Sequence, residues 1–114
     1  MTVITNIEDL RQLAEKRVPR MFYDYADSGS WTEGTYRANE ADFQKIKLRQ
    51  RVAVNMENRT TATKMVGVDA KMPVAIAPVG LTGMQHADGE IHAARAAEKF
   101  GIPFTLSTMS ICSI

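Results

Sequence analysis

The sequence predicts an α/β fold, and three features of its second half carry that prediction. MPVAIAP (residues 72–78) is a short run of small and β-branched residues without polar alternation, the pattern of a strand buried on both faces. ADGEIHAARAAEKFG (87–101) opens with Asp88 as a candidate N-cap, carries Glu90 in its first turn and meets stop signals at Gly101 and Pro103. PFTLSTM (103–109) is a second buried-strand candidate. Strand 73–77, helix 89–100 and strand 103–108 form one βαβ unit, with parallel strands and a right-handed crossover. Ala93, Ala94, Ala96 and Ala97 let the helix lie close on the sheet, as barrels and doubly wound sheets both require.

The first half predicts helices. Thr5-Asn6-Ile7-Glu8 has the form of a capping box, and Ile7, Leu10, Ala14 and Val18 then recur at helical spacing up to Pro19. RMFYDYADSGS (20–30) places Phe22, Tyr25 and Ala26 on one face before Gly29 supplies a stop. With Thr32 as N-cap, Tyr36, Phe43 and Ile46 trace a third apolar stripe. LRQRVAVNMENRTTAT (48–63) has weak patterning and is expected to be loop with a short extended piece. TKMVGVDAKMPVAIAP shows two extended segments separated by Asp69, Ala70 and Lys71, a hairpin whose second strand continues inward. The organisation expected is a helical segment over 1–62, then the hairpin and the βαβ unit over 63–114.

Composition excludes several function classes. The 114 residues are 45% hydrophobic and 24% charged, which is globular rather than disordered. A formal net charge of +1 provides no field for nucleic acid or an anionic surface, and no nucleic-acid partner is expected. Cys112 is the single cysteine, so neither an internal disulfide nor a cysteine zinc motif is available, and no metal site is expected. Acidic residues interrupt the N-terminus before any signal-peptide core forms, and the uncharged run Met72 to His86 is too short to span a bilayer. A cytoplasmic location follows as the expectation.

The unusual stretch is PVGLTG (78–83), an apolar loop at the carboxyl end of a buried strand, where α/β folds place ligands. Without bulky side chains, Val79 and Gly80 can bring backbone groups against a flat, largely apolar heterocycle; a simple tight turn is the alternative. Gly80-x-x-Gly83 matches no phosphate-binding pattern, and Asp88 puts negative charge where a phosphate would sit. Tyr25 has a hydroxyl that stays protonated at neutral pH and can hold a carboxylate, although core or rim packing is the commoner use. His86 and His92 lack a partner at catalytic spacing and are expected to be structural. Ser107, Thr108, Ser110 and Ser113 can donate hydrogen bonds or form turns. Cys112 is expected to be a small apolar filler. No residue is assigned a catalytic role.

Three stretches, FYDYADSGSWTEGTYRAN, LRQRVAVNM and MPVAIAPVGLTGMQHADGEIHAARAAEKFGIPFTLSTMS, resemble in order the FMN-dependent 2-hydroxy acid dehydrogenases and oxidases, the family of glycolate oxidase and L-lactate dehydrogenase. The bacterial L-lactate dehydrogenase branch is the most similar. The resemblance implies a (β/α)₈ TIM barrel behind a helical N-terminal segment, with MPVAIAPV as its first strand and only two strands present. It implies that the main chain at Pro78, Val79 and Gly80 lines the flavin ring of FMN, that Ser107 hydrogen-bonds the flavin and that Tyr25 holds the substrate carboxylate. Thr or Ala often stands in the family where this chain has Val79 and Gly80. Met109 occupies a position where several oxidases carry a bulky aromatic residue, which bears on substrate size.

The resemblance further implies that the catalytic histidine, the substrate-binding arginine, the lysine near the flavin and the phosphate loops lie beyond Ile114. The expectation is therefore the N-terminal part of an enzyme that oxidises L-2-hydroxy acids, L-lactate foremost, to 2-oxo acids and passes electrons to oxygen, a quinone or a cytochrome. The full-length enzyme is expected to be a homo-oligomer, cytoplasmic or peripheral to the inner face of the membrane, and the isolated chain inactive. The rival expectation is a non-catalytic fragment or interaction module with weak or no flavin binding.

Overall fold

The computed structural model describes residues 3–113. The chain divides into two units, Met1–Ala26 with Thr61–Ile114, and Asp27–Thr60.

In the larger unit α1 spans Ile7–Arg17, and its cap differs from the Thr5/Glu8 box expected. Asn6 is the N-cap: its side chain accepts the Asp9 N–H, and the Asp9 carboxylate accepts in return from Asn6 N, Thr5 N and Thr5 Oγ1. The Thr5 backbone N–H, foremost, holds the Asp9 carboxyl below its ordinary value. Glu8 is left to pair with Arg11 at 2.9 Å. Helix α2, Arg20–Asp27, starts on the Pro19 carbonyl, which accepts from Phe22 and Tyr23.

The hairpin pairs β1 (Thr63–Met65) with antiparallel β2 (Val68–Ala70), Met65 opposite Val68. Its turn is Val66-Gly67, and the expected separator Asp69-Ala70 belongs to the second strand. Positive φ at both turn residues, 49° and 81°, is the two-residue geometry whose twist matches paired strands.

The βαβ unit is present with less pairing than expected. Ile76 and Phe104 form a parallel bridge, with Ile76 N donating to Pro103 O at 2.9 Å and Thr105 N to Ile76 O at 3.1 Å. Over the spans 73–77 and 103–108 the pairing is limited to this bridge and they do not form continuous strands. Helix α5, Gly89–Phe100, has the predicted bounds and ends at Gly101 (φ 83°), where the Gly101 and Ile102 N–H groups both donate to Ala97 O. Asp88 stands at its N-cap, but at φ 54° its side chain makes no cap bond. A one-turn helix, α4 (Thr82–Gln85), replaces the second half of the expected loop.

In the smaller unit α3 spans Gly34–Ala41 and runs on into a 3₁₀ turn, Asp42–Lys45. The cap is Glu33 at φ 58°, not Thr32; the Glu33 carboxylate instead accepts the Gly29 N–H at 3.1 Å. Residues 46–62 form no helix or strand.

Among the described residues the buried apolar side chains are Ala70 and Ala97 alone, and Glu90 is the one buried charged residue.

Candidate functional site

The site builds on the chain that leaves the first paired segment. Past Ile76 it runs through Pro78 to Val79 and Gly80, then turns at Leu81, a non-glycine residue at φ 53°. Two contacts hold that turn. Leu81 N donates to Met109 O at 3.0 Å, which ties it to the second segment, and Thr82 Oγ1 donates to Val79 O at 3.0 Å. A left-handed leucine costs of order 1–3 kcal/mol and persists only where neighbours fix it.

The N–H groups of Val79 and Gly80 make no hydrogen bond among the described residues. Val79 is 47% exposed. Tyr25, from α2, is brought directly over Gly80. A Cβ built on Gly80 would stand 2.5 Å from Tyr25 Oη and 3.6 Å from Met109 Cβ, so only glycine allows the approach. The Tyr25 hydroxyl has no hydrogen-bond partner among the described residues.

Ser107 lies on the adjacent segment. Its Oγ accepts the Met109 N–H at 3.1 Å and its carbonyl accepts the Ser110 N–H at 3.1 Å, which leaves the hydroxyl proton free to donate. Val79 and Ser107 both line a partly open cavity of about 240 Å³, with Ile76, Phe104, Thr82 and Ala93 among its other lining residues. Gln85 also borders it, and its buried Nε2 has no partner among the described residues.

The residues singled out from the sequence thus converge: Tyr25, Gly80 and Met109 touch or nearly touch, and Val79 and Ser107 share a cavity wall. Pro78 contributes no backbone donor. The sequence reading missed Glu90, whose buried carboxylate accepts the Gly83 N–H at 3.1 Å and the Ile111 N–H at 3.0 Å. It counted there only as an acid in the first helical turn. Those bonds, the Ile111 N–H foremost, hold the Glu90 carboxyl below its ordinary value against the opposing effect of burial.

Cys112 donates to Glu90 Oε2 at 3.6 Å, and burial, reinforced by that carboxylate, pushes its thiol up. Ser110 Oγ donates to Cys112 O at 2.7 Å. His86 and His92 pack edge to face with ring centroids 5.6 Å apart, and no metal-ligating cluster occurs among the described residues.

Comparison with known proteins bears on the family and the fold. The chain is 48% identical to an L-lactate dehydrogenase of Ectopseudomonas mendocina (strain ymp) and 47% to one of Stenotrophomonas maltophilia (strain K279a), in each case over 98% of this chain and 30% of the relative. The crystal structure of a soluble mutant of the membrane-associated (S)-mandelate dehydrogenase from Pseudomonas putida superposes with a TM-score of 0.89 at 39% identity, over 97% of this chain and 32% of that one. The chain therefore spans about 30% of the length of the curated relatives it matches, and its two parallel segments are the opening of a TIM barrel that they do not close. The family description "FMN-dependent dehydrogenase" matches residues 14–114. This chain, with its tyrosine set over a glycine edge, belongs to the FMN-dependent dehydrogenase family, whose cofactor is FMN.

Proposed function

We propose that the chain is the N-terminal part of an enzyme that oxidises L-2-hydroxy acids, with L-lactate as the first candidate, to 2-oxo acids. In that enzyme residues 1–62 form the helical entry segment and 63–114 the hairpin and first βαβ unit of the barrel. The observation that carries the reading is the Tyr25 hydroxyl, unpartnered and seated where a Cβ of residue 80 would be.

The chain's own groups fit the family cofactor. The Val79 and Gly80 N–H groups are unpaired among the described residues, Ser107 keeps a proton to donate, and Gly80 projects nothing to obstruct a planar ring. When bound, FMN supplies an acceptor for the two electrons released in the oxidation of a 2-hydroxy acid. The chain's part is positional. The Tyr25 hydroxyl donates to the substrate carboxylate beside the flavin edge, the Val79 and Gly80 amides and the Ser107 hydroxyl fix that edge, and Met109, 58% exposed, borders the space left for the substrate side chain. A base for the hydroxyl proton is not assigned to any of these residues.

The L-lactate dehydrogenase relatives support lactate, and the mandelate dehydrogenase relative supports the broader 2-hydroxy acid class. The proposal includes oxygen, a quinone or a cytochrome as electron acceptor and a homo-oligomer as the full-length state. It includes a cytoplasmic location with peripheral association at the inner membrane face, which the membrane-associated relative supports. No helix among the described residues is long and apolar enough to cross a membrane.

The test is to express the full coding sequence, load it with FMN and add L-lactate without oxygen. Bleaching of the flavin absorbance is expected, and the isolated 114-residue chain is expected to give none. A full-length protein whose bound flavin is indifferent to both lactate and mandelate would overturn the reading.

A further inference from the structure

We propose that Glu90 is a positioning residue for the flavin-facing end: its buried carboxylate locks the segment bearing Val79 and Gly80 to the segment bearing Ser107 and Met109. The inference rests on the reading of those residues given under Proposed function. Glu90 is 3% exposed. A carboxylate that deep is tolerated only where hydrogen-bond donors replace water.

The donors at hydrogen-bond distance come from other parts of the chain, with the Glu90 backbone N–H a further favourable contribution from its own helix. Oε1 accepts from Gly83 N in α4 and from Ile111 N beyond the second segment, and Oε2 receives the Cys112 thiol. Helix α4 has no side-chain cap, so Glu90 satisfies a first-turn N–H that would otherwise be an orphan.

The link lies close to the reactive edge. Leu81 N to Met109 O is one rung between the two segments, and the Gly83–Glu90–Ile111 bridge is the next, two residues further along each. The junction has no slack. A Cβ on Gly83 would stand 2.9 Å from Ile111 Cβ and 3.1 Å from Glu90 Oε2. Val79 and Gly80 lie immediately ahead of one end of the bridge and Ser107 ahead of the other, so their separation depends on the carboxylate between them. Both backbone donors use the same oxygen. A glutamine can therefore reproduce the bridge through its carbonyl, whereas aspartate, one methylene shorter, cannot reach both.

The experiment compares full-length holoprotein carrying Glu90→Gln, Glu90→Asp or Glu90→Ala with wild type. Three quantities are read: the FMN dissociation constant from flavin fluorescence, the visible spectrum of the bound flavin, and the far-UV circular dichroism. E90Q is expected to bind FMN within about threefold of wild type, and E90D and E90A about tenfold or more weakly, with a shifted flavin spectrum and unchanged helix content.

Wild-type affinity and spectrum in E90D and E90A would overturn the inference alone. So would a loss in E90Q as large as in E90A, or a uniform loss of thermal stability with the bound flavin's spectrum unmoved. Should E90A prove insoluble, the E90Q and E90D pair decides by the same criteria. Wild-type protein that takes up no FMN would instead bring down the parent reading and this one with it.

Discussion

Asp42 and Glu90 are carboxylates in two different regions, and the shorter contact is the weaker one. In the Asp27–Thr60 unit Asp42 accepts from Lys45 at 2.6 Å, with the two side chains 60% and 77% exposed. At the loops of the βαβ unit Glu90 accepts at 3.0 and 3.1 Å from two amides, inside the protein. Water competes for Asp42 and screens it, whereas Glu90 depends on donors supplied by the protein, the Ile111 and Gly83 amides with the Cys112 thiol.

The glycines tell the same story. A Cβ on Gly34 meets nothing within 4 Å, while Cβ atoms on Gly80 and Gly83 collide with Tyr25 and Ile111. Crowding is not confined to those two positions, since a Cβ on Gly29 in the Asp27–Thr60 unit would stand 2.6 Å from Tyr36 Cβ; Gly34 and Gly83 are the contrasting pair. The stretch after the 3₁₀ turn, with Leu48 96% and Val52 88% exposed, has little internal bracing.

The sharpest way to break this contrast is a set of glycine-to-alanine substitutions in the full-length protein. Gly83→Ala is expected to destabilise by about 1–3 kcal/mol in urea unfolding, because Ile111 must move. Gly34→Ala is expected to be neutral or to stabilise by up to about 1 kcal/mol. Equal effects would mean that the crowding at Gly83 relaxes freely.

Next in size, Tyr25→Phe removes one donor to a charged group, worth about 1.5–3 kcal/mol, so kcat/KM for L-lactate should fall roughly tenfold or more. Gly80→Ala should push the Tyr25 ring aside and lower the same quantity; an unchanged value would place the substrate carboxylate elsewhere.

The pH dependence of stability gives a smaller effect with a definite sign. The folded-state carboxyl of Glu90 titrates below its ordinary value of 4.5, so its stabilisation is fully present above that pH and is lost as the pH falls through the lowered value. Acid unfolding of E90Q should therefore be less steep below that point than that of wild type. Smallest of all, Lys45→Ala should alter stability by no more than about 0.5 kcal/mol, since its partner is solvated.

Much of the fold was legible because the signals are local. The bounds of α5 follow from Asp88, the alanine run and Gly101, and α2 follows from the spacing of Phe22, Tyr25 and Ala26. The errors lie where two local signals compete. Thr5/Glu8 and Asn6/Asp9 are both possible capping boxes, and Asp9 prevails by also taking both Thr5 donors. The hairpin turn went to Val66-Gly67 because strand twist demands left-handed residues, a demand that apolar alternation does not announce. The strands at 73–77 and 103–108 shrank to one bridge because composition signals burial but does not say how many residues find a hydrogen-bonding partner strand.

The sequence by itself determined the α/β class, the order strand, helix, strand, and the apolar glycine loop after the first segment, since each depends on residues a few positions apart. Only the tertiary structure decided that Tyr25 stands over Gly80 and that Glu90 joins α4 to the segment at Ile111. Both are contacts between parts of the chain far apart in sequence. Periodicity and propensity act along the chain over a turn or two, whereas steric fit at Gly80 and the need of a buried carboxylate for donors act through space, on whichever neighbours folding supplies.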